Sequence, residues 1–174
     1  MARAYIGAGT NLGDRRRNLD RAVRELRRLG RVTGISSVYE SEPIGYTEQP
    51  DFWNVVVRVE TTAEPRALLA ALKAAESRIG RTPTFRNGPR AIDLDLLLYD
   101  DVVRTSTDIE LPHPRWLDRS FVIEPLLELD PSLTDPRTGA SITEWRSTMV
   151  PARLTRLFGG TELDRRPDPA EAPE

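Results

Sequence analysis

Two amphipathic helical stretches, each preceded and followed by strand-like runs, place this 174-residue chain in the α+β class. Leu19, Ala22, Val23, Leu26 and Leu29 recur at the spacing of a helix with one buried face, and so do Leu68, Leu69, Leu72, Ala75 and Ile79. The flanking runs alternate at period two, as strands with two unlike faces do. In order they read β-α-β-β-α-β. That is a ferredoxin-like antiparallel sheet with packed helices, followed here by a C-terminal helical elaboration.

Residues 3–10 form the first strand, which runs into glycine-rich turn chemistry over Gly7–Gly13. Asp14 caps the first helix and Gly30 closes it. A strand follows at about Thr33–Glu42, and after a polar, Pro- and Gly-containing loop another runs Phe52–Thr61. The second helix has Pro65 in its first turn and Gly80 just past its end, the asymmetry expected of a helix. A strand at about Ala91–Tyr99 completes the order. Beyond it, Pro112-His113-Pro114 makes a rigid corner, and residues 121–129 read as a short packed helix. Ser141 with Glu144 matches a capping box that starts another. From Gly160 the chain turns acidic and non-periodic, which predicts one domain over 1–159 and a disordered acidic tail over 160–174.

Composition narrows the function classes. The chain has 25 Lys+Arg against 27 Asp+Glu, a net charge of −2, which argues against a general nucleic-acid binder. It has no cysteine, so disulfides, thiolate metal sites and Cys nucleophiles are excluded. The start lacks the apolar core of a secretory signal, and runs such as Ala67–Leu72 are far too short to span a membrane. A cytoplasmic, monomeric protein is expected. Lys73 is the only lysine among the basic residues. Codon bias explains such an excess, and so does bidentate phosphate recognition by arginine.

The chemistry concentrates in Arg86-Asn87-Gly88-Pro89-Arg90-Ala91-Ile92-Asp93-Leu94-Asp95. On a strand Asp93 and Asp95 share a face, while Ile92, Leu94, Leu96 and Leu98 point the other way. Paired carboxylates repel unless a cation sits between them, and Mg²⁺ favours one or two carboxylates plus waters and phosphates. The pair is either such a metal platform, with Arg86 and Arg90 reaching the phosphates, or an exposed acidic pair balanced by arginines. Glu76 lies on the apolar side of its helix, so it either pairs with Lys73 or Arg81 or lines a polar cleft. Phe52 and Asn54 share a strand face, where they pack the sheet or stack on and hydrogen-bond a flat heterocycle. His113, the only histidine, is followed by Arg115 and Arg119 and is either structural or part of an anion-facing loop.

Four ordered segments, YIGAGTNLGD, SSVYESEPIGYTEQPDFWN, RNGPRAIDLDLLLYDD and LPHPRWLDRSFVIEPLLELDP, resemble the 6-hydroxymethyl-7,8-dihydropterin pyrophosphokinase family over about residues 3–135. The resemblance implies a ferredoxin-like enzyme of folate biosynthesis. Such an enzyme moves pyrophosphate from ATP to the hydroxymethyl group of a reduced pterin and releases AMP. It further implies that Asp93 and Asp95 hold two Mg²⁺ ions and act in catalysis with Arg90. Arg81, Arg90, His113 and Arg119 correspond to phosphate contacts, and Glu76 to an ATP-side contact near the nucleoside. Phe52 and Phe121 correspond to rings that sandwich the pterin, Asn54 to the side chain reading its edge, and Ser41 and Ile44 to backbone contacts in that pocket. Another Mg²⁺-dependent nucleotidyl- or phosphotransferase is the first alternative. A ferredoxin-like RNA-binding module is the second, and neither AYIGAGTN nor FWNVVVRV supplies its stacking aromatics.

The chain departs from the family at Asn87, where relatives commonly carry an aromatic residue, and in the short loop Thr82-Pro83-Thr84-Phe85, where they often carry a further basic one. Either this lid closes less completely over ATP, or Phe85 substitutes for the missing ring. Asn87→Trp is therefore expected to raise nucleotide affinity and turnover. Equal affinity and rate in the two proteins would rule out a weaker lid.

Overall fold

The computed structural model describes residues 1–163. Its strands and helices are β1 (Ala2–Thr10), α1 (Arg15–Leu29), β2 (Arg31–Ile35), β3 (Val38–Ser41), β4 (Phe52–Thr61), α2 (Pro65–Ile79), β5 (Asp93–Tyr99), β6 (Arg104–Thr105), β7 (Glu110–Leu111), α3 (Ser120–Leu129), α4 (Ile142–Thr148) and β8 (Leu154–Phe158). A 3-10 turn over Gly160–Glu162 follows. The main sheet runs β5-β1-β4-β3-β8, with β2 also paired to β4, and every one of these pairings is antiparallel. No helix among the described residues is long and apolar enough to cross a membrane.

Both helix starts and stops follow the local chemistry. The Asp14 side chain accepts from the Arg17 amide at 2.9 Å. Gly80 ends α2 in the left-handed region, at φ 118°, where a side chain would be strained. Gly30 ends α1 for a different reason. Its backbone is extended, but a Cβ there would lie 2.4 Å from the Glu60 carbonyl oxygen of β4.

The helices α1 and α2 cover one face of the sheet, and their leucines meet Ile6, Val57, Leu94 and Leu96 in the larger core. On the other face α3 and α4 pack over Tyr5, Val56, Leu97 and Leu98 around the fully buried Trp116. The strand expected over residues 33–42 is broken at Ser36-Ser37. There the Ser36 Oγ accepts from the Val56 amide, the Ser36 amide donates to the Val56 carbonyl and the Ser37 amide donates to Glu128, so both serine amides keep partners where the backbone leaves the ladder.

Three further expectations need correction. The β1–β5 register shifts between Tyr5 and Ile6, where Leu97 is the extra residue of a bulge. Leu98 therefore moves to the face of Asp93 and Asp95, and strict alternation ends at Leu96. Ser141 caps α4 by position, but its side chain makes no cap hydrogen bond. The domain does not stop at 159. Gly160 packs against the Ser36 and Ile35 carbonyls, and Leu163 is buried in the larger core. Only the part of the proposed tail beyond 163 lies outside the described residues. Leu163→Ala is expected to cost about 2–5 kcal/mol of stability in urea unfolding. A change below about 0.5 kcal/mol would put Leu163 outside the cooperative fold.

Candidate active site

Asp93 and Asp95 stand opposite Gly9 and Gly7 of β1, which in turn stand opposite Asn54 and Val56 of β4. Between the acidic pair and Asn54 the sheet thus carries only hydrogen atoms, and a floor opens there. The glycines read as turn chemistry are strand residues doing this work. A Cβ at Gly9 would come within 3.3 Å of the Asn54 Oδ1.

Over that floor lies a cleft of about 720 Å³, open to solvent. It is lined by Ser41, Ile44, Phe52, Asn54, Arg90, Asp93, Asp95, Arg119 and Phe121, nine residues that the sequence reading had singled out. Asn87 and Arg115 also line it. Phe52 comes from the start of β4, and Phe121 from the first turn of α3. Each ring has an arginine over it: Arg90 at 5.2 Å from the Phe52 centroid and Arg119 at 5.6 Å from that of Phe121. The Asn54 amide donates to the Ser41 Oγ at 2.9 Å, which fixes a buried polar edge between the strands. An apolar slot with rings and one oriented amide suits a flat, edge-polar heterocycle.

The acidic pair is compensated by arginines. Arg81 donates to Asp93 at 2.5 Å, Arg90 stands 3.5 Å from Asp93, and Arg119 stands 3.8 Å from Asp95. Burial opposes the charge of Asp93, yet Arg90 and Arg81 hold its carboxyl below the usual carboxylate range. Burial likewise lowers Arg119, and the neighbouring Arg115 charge adds to the effect. The Arg90 Nε is buried with no hydrogen-bond partner among the described residues.

Glu76 and Arg81 sit behind this wall. Glu76 accepts from the Leu94 amide at 2.6 Å, from Lys73 at 2.8 Å and from Arg81 at 2.8 Å. Both cations offered by the sequence are thus its partners, and its carboxylate anchors β5. His113 lies in a second cleft of about 660 Å³, between Leu69, Leu96, Ile109 and Leu111, with Asp95 at the junction of the two. Its Nδ1 accepts from the Arg115 amide at 3.2 Å, which leaves Nε2 to carry the proton. Burial pushes this imidazole below its ordinary pKa, against the pull of Asp95, so the neutral form is favoured.

A link between loops escaped the sequence reading. The Asn11 side chain accepts from the Arg90 amide at 2.9 Å and donates to Gln49 at 2.8 Å. Gln49 donates in turn to the carbonyls of Asn87 and Tyr46, both at 2.7 Å. Phe85 meets Tyr46 edge-on at 5.2 Å, so a ring does join the two loops, from position 85 rather than 87. The Asn11-Leu12-Gly13 turn after the first strand, of which only Asn11 is buried, was its only trace in the sequence.

Among the described residues no group of three or more His, Cys, Asp or Glu could cage a metal ion. Two carboxylates on one face still fit Mg²⁺, which takes its remaining ligands from water and substrate phosphates.

The family model for 7,8-dihydro-6-hydroxymethylpterin-pyrophosphokinase (HPPK) matches residues 5–131. The chain is 40% identical over 137 residues to the 2-amino-4-hydroxy-6-hydroxymethyldihydropteridine pyrophosphokinase of Aquifex aeolicus, covering 78% of this chain and 85% of that protein. It is 40% identical over 157 residues to the folic acid synthesis protein fol1 of Schizosaccharomyces pombe, covering 89% of this chain but 21% of that protein. The chain therefore spans about a fifth of the length of such fungal relatives. A Plasmodium falciparum HPPK-DHPS structure shares the fold, with a TM-score of 0.66 at 14% identity over 84% of this chain and 43% of that one. With a family model matching residues 5–131 and a bacterial relative 40% identical and covered to 85% of its length, the chain belongs to the 7,8-dihydro-6-hydroxymethylpterin-pyrophosphokinase family.

Proposed function

We propose that this chain transfers pyrophosphate from ATP to the hydroxymethyl oxygen of 6-hydroxymethyl-7,8-dihydropterin, as a monomer with ferredoxin-like topology. One observation carries the reading. Asp95 belongs to both clefts, so a heterocycle in the ring-lined cleft and a nucleotide in the second would meet at the acidic pair.

The pterin lies between Phe52 and Phe121, with Asn54 and the backbone of Ser41 and Ile44 reading its edge. The nucleoside lies against Leu69, Leu96 and Ile109, with its phosphates running past His113 towards Arg119 and Arg90. The hydroxymethyl oxygen attacks the β-phosphorus. The bond from that phosphorus to the α–β bridging oxygen breaks, AMP leaves with the bridging oxygen, and the hydroxyl proton passes to solvent. Such a transfer needs alignment and charge neutralisation more than covalent help. Arg90 and Arg119 provide both on the cleft wall, while the neutral His113 donates a hydrogen bond through Nε2. Arg81 and Glu76 act behind Asp93, where they fix its carboxylate and the register of β5. Mg²⁺ entering with the nucleotide, two ions in this reading, would be held by Asp93 and Asp95 and would lower the hydroxyl pKa while shielding the phosphates.

Supplying ATP, Mg²⁺ and the reduced hydroxymethylpterin should yield AMP and the pterin pyrophosphate. ADP would identify an ordinary kinase, and no turnover would refute the enzyme. Asp95→Ala should lower the rate by about 10³-fold with an unchanged unfolding midpoint. Near-wild-type activity would remove the metal role. Gly9→Ala, which puts a methyl on the floor beside Asn54, should raise the pterin KM by about tenfold and leave ATP affinity intact. An unchanged pterin KM would show that the heterocycle lies elsewhere.

A further inference from the structure

Arg115 is the arginine in the main cleft that the balance of charge leaves over. Arg90 faces Asp93 and Arg119 faces Asp95, and Glu42 is engaged by Arg153 at 3.0 Å. Arg115 lines the same cleft and is exposed, and its side chain has no hydrogen-bond or ion-pair partner among the described residues. The acidic residues of the cleft are taken up by other arginines, Asp93 and Asp95 by Arg90 and Arg119 and Glu42 by Arg153. Arg115 is the largest charged influence on Arg119, acting against that residue's own charge, and it also acts on His113. Its backbone is fixed, because the Arg115 amide donates to the His113 Nδ1 and its carbonyl accepts from the Asp118 amide. A like-charged pair held side by side on a rigid corner at a cleft mouth is unfavourable until an anion bridges it.

From this arrangement we infer that Arg115 binds the pyrophosphoryl group itself, on the pterin side of the acidic pair, pairing with Arg119 to grip the transferred phosphates and to retain the pyrophosphorylated product. The inference rests on the pyrophosphoryl-transfer reading and sharpens it. Arg115 lines the ring-lined cleft and is not among the residues of the second, where His113 and Pro114 lie. Its guanidinium therefore serves the part of the polyphosphate that moves, not the α-phosphate that leaves with AMP. A guanidinium fork matches two phosphate oxygens in a way an ammonium does not, so lysine should replace it only in part.

The test is calorimetric titration of the full chain in Mg²⁺ with four ligands: the pterin pyrophosphate, a non-hydrolysable ATP analogue, AMP and the unphosphorylated pterin. Arg115→Ala should weaken the first two by about tenfold and leave AMP and the pterin within about twofold. Arg115→Lys should fall between, and Arg24→Ala, which removes an exposed charge from α1 on the other face of the sheet, should match wild type. In turnover, Arg115→Ala should also relieve product inhibition. Unchanged product affinity, an equal loss for all four ligands, or the same loss in Arg24→Ala would overturn the assignment. Absence of both pterin binding and turnover in the wild-type chain would defeat the transfer reading and this inference with it. Normal wild-type turnover with an indifferent Arg115 would defeat the inference alone.

Discussion

Two carboxylates on one strand face, two residues apart, repel each other unless cations stand beside them. Asp93 and Asp95 meet this condition through residues from three separate places: Arg81 after α2, Arg90 at the entry to β5 and Arg119 at the start of α3. Each of these has to be held in turn. Glu76 grips Arg81 and the Leu94 amide, and Asn11 pins the Arg90 backbone to the end of β1. The neutralisation of one acidic pair thus dictates how α2, α3 and the loop before β5 sit on the sheet.

The same sheet has to leave room above the pair. Side chains two apart on a central strand normally fill the face they share, and β1 is paired on both sides. Glycine at positions 7 and 9 removes that filling directly beside the acidic residues, while Ala4, Ile6 and Ala8 keep the opposite face packed against α1 and α2. One strand therefore builds a core on one side and a cleft on the other. The bulge at Leu97 then returns β5 to packing, because it turns both Leu97 and Leu98 under α3 and closes the far end of the cleft.

Loop placement follows a different logic. The loops at 42–51 and 80–92 carry few apolar side chains into the core, and they are joined to each other by Asn11, Gln49 and the Tyr46–Phe85 edge contact. Phe85 supplies the ring that meets Tyr46 across these loops, while Asn87 has a left-handed backbone at φ 60°. Contacts of this kind between exposed loops are weaker than core packing, which suits segments that have to admit and release substrates.

The sequence by itself determined the two long helices with their boundaries, the strands on either side of them, the shared face of Asp93 and Asp95 and the grouping of Phe52 with Asn54, because periodicity and capping act over neighbouring residues, but it carried no sign of β6, β7 and β8. Nine of the twelve residues assigned to the site line the main cleft; face-sharing and spacing pointed to Phe52, Asn54, Arg90, Asp93 and Asp95, whereas Ser41, Ile44 and Phe121 came only from the family resemblance. Tertiary structure alone decided the rest. It assigned Glu76 to anchoring β5, converted Gly7 and Gly9 from turn to floor, broke the strand at Ser36-Ser37, and drew Gly160 and Leu163 into the fold. It also set Arg115 beside Arg119 without an acidic partner. Each of these depends on partners dozens of residues away or on a register shift. Local propensity carries no record of either, since the free energy that selects them resides in contacts the chain makes only once it is folded.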